Sequence, residues 1–114
     1  MFDFEKLDVY TKTKKFNKSV NLFLKSAVLD KTTKDQLRRA SFSIMLNIAE
    51  GSGRFTRPDK RNFYIIARGS VFECVAIFDF LKDIDKIDES VFDQYYSYLE
   101  EISKMLYALI KGLE

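Results

Sequence analysis

The sequence predicts an all-α protein, a four-helix bundle in up-down-up-down order, on three observations. Apolar residues recur at three- and four-residue steps along most of the chain. Turn-forming residues are scarce, with four Gly and one Pro in 114 residues, and most of them fall where the periodic runs break. The breaks leave four runs of about 20 residues with short connections, the proportions of such a bundle. At 13.4 kDa the chain is one domain, residues 1–114, and its 46% hydrophobic and 32% charged residues fit a folded protein and exclude a disordered one.

Each element has its own signal. Phe2, Phe4 and Leu7 alternate with charges, too few for a strand, and read as an extended tail packed on the body. The first helix, about 8–28, places Val9, Phe16, Val20, Phe23, Leu24 and Val28 on one face. Its opposite face carries Lys12, Lys14, Lys15, Lys18 and Lys25, the composition of a solvated surface. The second helix, about 33–50, opens with Thr33 and Gln36 spaced as a capping box. It closes at Gly51, which can take the left-handed C-cap conformation. Leu37, Ser41, Ile44 and Ile48 form one face of this helix, yet Phe42, Met45, Leu46 and Ala49 are apolar elsewhere. A helix apolar around so much of its girth needs a second partner, so burial against another subunit is expected.

The third helix, about 57–82, starts from Thr56 as N-cap, with Pro58 in the first turn and Asp59 near the positive end of the dipole. Phe63, Ala67, Ser70, Cys74, Ile77 and Leu81 share a face, while Ile65, Phe72, Val75 and Phe80 again exceed one stripe. Gly69 and Ser70 predict close approach of another helix. The fourth helix, about 89–111, begins at Asp88 or Glu89 and ends at Gly112, with Val91, Tyr95, Leu99, Ile102, Leu106, Leu109 and Ile110 at core spacing. Its tyrosines read as borders of the core.

Charge is distributed more unevenly than the net +2 suggests. Residues 1–30 hold six Lys against four acids, residues 31–68 hold nine Lys and Arg against three acids, and residues 69–114 hold four Lys against ten acids. The segments are thus +2, +6 and −6. Basic and acidic parts can meet across the fold or lie on different surfaces of an assembly. One cysteine excludes an internal disulfide, and the absence of His leaves Cys74 without an activating base. The acidic opening is unlike a signal peptide and no apolar run is long enough to span a bilayer. A cytoplasmic, non-enzymatic protein without cofactor is expected.

Asn47 and Glu50 interrupt an apolar run and need partners if held from water. Two arrangements fit them, a structural polar network with Arg39 as counter-charge and a ligand or ion site, and Glu73 on the third helix is the natural third member of either. A carboxylate-bridged metal pair is disfavoured, because bundle sites of that kind use Glu-x-x-His pairs. Gly51-Ser52-Gly53 lacks the Gly-Lys-Ser/Thr ending and the preceding strand of a P-loop.

Gln36-Leu37-Arg38-Arg39-Ala40, Ser43-Ile44 and Asn47-Ile48-Ala49-Glu50-Gly51-Ser52-Gly53-Arg54 resemble the signature of the 23S rRNA-intervening sequence protein family. Phe63, Ala67, Gly69-Ser70 and Glu73 extend the similarity, as does Phe4-Glu5-Lys6-Leu7-Asp8-Val9-Tyr10. The resemblance implies a homopentamer of four-helix bundles with a nucleic-acid role. The same superfamily holds the accessory variability protein of diversity-generating retroelements, which implies RNA or DNA, a ribonucleoprotein or a reverse transcriptase as partners. Contact is expected at the junction of the second and third helices, through Arg54, Arg57, Lys60 and Arg61, with Arg38 and Arg39 contributing. The competing expectation is a scaffold whose basic junction meets the acidic fourth helix of a neighbouring subunit.

Overall fold

A computed structural model describes residues 1–114. A short 3₁₀ turn over Asp3–Lys6 precedes four helices: α1 (Asp8–Ser26), α2 (Lys31–Ser52), α3 (Arg57–Asp83) and α4 (Glu89–Gly112). There is no strand. The bundle measures 44 × 23 × 21 Å. At 1.5 Å per residue the longest helix, α3, spans about 40 Å, so the helices run along the long axis. Each helix touches two others, closing a ring in the order α1, α2, α3, α4.

The starts of α2, α3 and α4 are fixed by short polar side chains, while α1 begins after Leu7 without a side-chain cap. Asp30 Oδ1 accepts from Thr33 N at 2.6 Å, Thr56 Oγ1 from Asp59 N at 3.2 Å, and Asp88 Oδ1 from Val91 N at 2.8 Å. The second of these is the predicted cap, and the third lies at one of the two expected positions. At α2 the expectation is corrected, because Asp30 caps the helix three residues before Thr33 and makes Thr33 a donor inside the first turn. That early start shortens α1. Ala27 is extended with ψ 137°, so Val28 leaves the helix and stands in solvent while Leu29 packs on the core. The N-terminal residues also differ from an extended tail, since Phe2 N donates to Glu5 Oε2 at 2.8 Å and winds the segment into its turn.

Gly51 is not a left-handed cap. No glycine has positive φ, and α2 continues through Ser52. A Cβ at Gly51 would lie 2.9 Å from Phe63 Cβ and 3.0 Å from the Tyr64 ring, so its missing side chain lets the end of α2 approach the start of α3. Gly69 does the opposite of what was expected, with no atom within 4 Å of a Cβ built there. The close contact belongs to its neighbour Ser70, which is buried and donates to Ser43 Oγ at 2.8 Å. Positive φ occurs at Asp85, φ 59°, in the turn between α3 and α4, a conformation that Asp tolerates better than most residues.

Val9, Phe16, Val20 and Leu24 of α1 meet Leu37, Ile44 and Ile48 of α2, Ala67, Cys74 and Leu81 of α3, and Leu99, Ile102, Leu106 and Ile110 of α4 in one core. Tyr64, Val71 and Phe78 join it, whereas Phe63 and Ile77 are only half-buried. The buried stripe of α3 is therefore turned from the expected one, because α3 fills the seam between α2 and α4. Tyr95 is the hub on the other side, stacked on Phe78 at 4.2 Å and edge-on to Phe16 and Phe23 at 6.0 Å. Apolar surface remains outside this core on α2 and α3. Phe42, Leu46, Ile65, Ile66, Phe72 and Phe80 are all exposed, with Phe72 at 56%.

Candidate nucleic-acid interface

The predicted cations lie at the α2–α3 junction and along α2, and most of them bind the protein itself. Arg57 Nη2 donates to Gly112 O at 2.9 Å, so the start of α3 satisfies a carbonyl at the end of α4. Lys60 Nζ donates to Ser52 O at 2.7 Å and does the same for the end of α2. Both contacts place a cation where the helix dipole is negative. Arg61 faces Glu114 at 3.5 Å, and Arg54 bonds Glu50 at 2.7 Å while its guanidinium lies 4.4 Å from the Phe63 ring centre. The Arg57 and Arg61 contacts tie α3 to the chain's last residues.

Arg38 reaches Asp35 at 3.3 Å, an exposed pair of the kind that contributes little. Arg39 is exposed and makes no ion pair or hydrogen bond within the chain. The predicted six thus divide into four junction cations engaged with backbone or carboxylate and two on α2 that are open to solvent.

Asn47, Glu50 and Glu73 do not form one network within the chain. Asn47 Nδ2 donates to Ser43 O at 2.8 Å and to Ser43 Oγ at 3.0 Å, and Ser70 Oγ completes a bridge from α3. Glu50 is exposed and paired with Arg54, and Glu73 is exposed without a partner in the chain. The link between α2 and α3 is therefore Asn47–Ser43–Ser70. Two serines carry it, and helical periodicity marks serine only as small.

Cys74 is buried, and that burial, with a smaller push from Glu73, raises its thiol to about 12. A thiol so raised is a poor nucleophile near neutrality. No group of three or more His, Cys, Asp or Glu side chains converges as a metal site. No helix is long and apolar enough to cross a membrane.

Between α1 and α2 lies a basic feature in which lysines that sequence reading assigned to solvent join Arg38. Lys14 and Lys18 of α1 and Arg38 of α2 border a groove of about 410 Å³ that also holds Tyr10, Asn21 and Phe42. The i, i+4 spacing of the two lysines was visible in the sequence, but the helix they face was not.

Residues 5–108 match the profile of the 23S rRNA-intervening sequence protein family. Among solved structures, a protein of unknown function from the S23 ribosomal protein family of Bacteroides thetaiotaomicron superposes with a TM-score of 0.86 at 24% identity, over 90% of this chain and 98% of that one. At that identity the likeness shows the fold. No functionally curated protein is significantly similar. With the match spanning nearly all of the bundle, the chain belongs to the 23S rRNA-intervening sequence protein family.

Proposed function

We propose that this protein is a non-enzymatic, cytoplasmic, homo-oligomeric bundle, up-down-up-down in order and pentameric in assembly, that associates with RNA or a ribonucleoprotein. The observation that carries the RNA reading is an excess of uncommitted cations on α1 and the first part of α2. Lys14, Lys15, Lys18, Lys34 and Arg39 make no ion pair or hydrogen bond within the chain, whereas acids dominate residues 69–114. Cations released from internal pairing are free to neutralise phosphate. The family's association with an rRNA intervening sequence favours RNA over other polyanions. Exposed apolar side chains on α2 and α3 support self-association.

A scaffold without nucleic acid is favoured by one specific observation, the internal engagement of Arg54, Arg57, Lys60 and Arg61. Fluorescence anisotropy with a labelled single-stranded RNA, measured across salt concentrations on protein sized by light scattering, separates the two. The RNA reading expects a multimer near five chains and log affinity falling by roughly 0.7 per phosphate neutralised for each decade of salt. A multimer that binds no RNA at low salt is a scaffold, and a monomer at micromolar concentration removes the assembly.

A further inference from the structure

We infer that the groove between α1 and α2 is the docking site for a single strand of RNA, an inference that rests on the reading above and gives it a place. Three properties of the groove converge on that ligand. Its charged lining residues, Lys14, Lys18 and Arg38, are all cationic. The two lysines have no internal partner, and the Arg38 contact to Asp35 is a solvent-exposed pair. Lys14 and Lys18 stand one helical turn apart, about 6 Å along α1, a spacing suited to consecutive phosphates of an extended strand.

Apolar character is the second property. Phe42 lines the groove and is 51% exposed, and Tyr10 lines it as well. A cationic groove with accessible aromatic rings is the combination that holds single strands, with phosphates on the cations and bases stacked on the rings. A duplex would keep its bases inside and leave Phe42 unused. Third, the groove offers amides. Asn17 Nδ2 is occupied by Thr13 O at 3.1 Å and Ser41 O at 2.9 Å, which fixes the side chain and leaves its Oδ1 as an acceptor. Asn21, exposed on the same wall, supplies both donor and acceptor for base edges or ribose hydroxyls.

The junction cations supply none of this as a set, because they are bound to Ser52 O, Gly112 O, Glu50 and Glu114. The groove and the junction are thus separable by mutation. Lys14→Gln combined with Lys18→Gln, and Phe42→Leu and Phe42→Tyr singly, are compared with wild type and with Arg57→Gln for a labelled single-stranded RNA over a salt series. Each is also sized by light scattering and checked for unchanged helicity. An unlabelled DNA strand of the same sequence serves as competitor.

The expected result is that the double lysine variant lowers the salt slope by about 1.4, two cations at roughly 0.7 each. Phe42→Leu weakens binding at least about fivefold, the lower end of what one stacked base contributes, and Phe42→Tyr preserves it. DNA competes more weakly than RNA. Wild-type binding with an unchanged slope in the lysine variant and no loss in Phe42→Leu overturns the groove while leaving the RNA reading intact. A slope lost in Arg57→Gln alone returns the contact to the junction. Equal competition by DNA overturns the assignment of RNA. No binding by wild type at low salt overturns both the groove and the reading beneath it. If the groove variants dissociate the multimer, the groove is a contact between copies of this chain and the proposal fails.

Discussion

The α2–α3 seam and the α1–α4 seam close the same bundle with opposite materials. Along α2–α3 the contacts are small and polar: Gly51 against Phe63 and Tyr64, the Ser43–Ser70 hydrogen bond, and Lys60 on Ser52 O. Along α1–α4 they are large and aromatic, with Tyr95 of α4 against Phe16 and Phe23 of α1 and backed by Phe78 of α3, and a groove of about 560 Å³ remains between Lys15, Leu22, Gln94 and Tyr98. Small residues let backbones approach and leave little slack. Large rings fill volume but hold their helices apart. The outer surfaces differ too, since exposed apolar residues gather on α2 and α3, while α1 presents lysines and α4 acids.

The largest effect is expected on the aromatic side. Phe78→Ala empties the centre of the cluster and should cost about 3–5 kcal/mol in denaturant unfolding. A cost below about 1 kcal/mol means that the rings repack and that this side is not held by volume. Next comes Gly51→Ala, where a new Cβ meets Phe63 Cβ, an atom fixed to the α3 backbone. It should destabilise by about 1–3 kcal/mol, against the usual gain in helix propensity from replacing glycine. The same substitution at Gly69, which meets nothing, should be neutral or stabilising. Equal outcomes at the two glycines would remove the distinction between a tight seam and an open face.

Ser70→Ala removes the hydrogen bond that carries the Asn47–Ser43–Ser70 bridge from α3 to α2 and should cost about 1 kcal/mol. Its coupling to Ser43→Ala in a double-mutant cycle measures the bridge directly, and additive effects would dissolve it. The smallest effect concerns acid. The backbone N–H of Thr33, followed by its side chain, holds the Asp30 carboxyl below its ordinary 3.8. The folded chain then binds that proton less readily than the unfolded chain, so the contribution is complete above the ordinary value and is lost as pH falls through the lowered one. Asp30→Asn, which can still cap, should flatten this part of the acid limb. α3 starts from the Thr56 hydroxyl, which does not titrate there, so amide exchange at the start of α3 should lack the same acid step.

Local signals were legible in the sequence and distant ones were not. Thr56 could be read as a cap because capping is decided within four residues, and the core spacing of α4 was visible from its periodicity. The start of α2 was misplaced because Thr33-x-x-Gln36 matches a capping box while Asp30 is a strong cap three residues earlier. A glycine that ends a helix and a glycine that admits a neighbour look alike in sequence, so the role of Gly51 required the position of Phe63. The candidate cations show the limit most clearly. Arg57 and Arg61 were visible as charges, but their partners Gly112 and Glu114 lie more than 50 residues away, and no local pattern announces them. Family membership was readable for a different reason, because most of its motif residues fall in one short stretch, 36–54.

Cys74 gives this bundle a built-in clock. It is the chain's single thiol, fully enclosed on α3 and held protonated by its surroundings. A thiol reagent can reach it only while the helices around it are apart. Its labelling rate in the unmodified protein therefore reports how often the interior opens. If assembly shields the outer faces of α2 and α3, diluting the protein below its association range should speed that labelling. A concentration-independent rate would locate the opening within a single bundle.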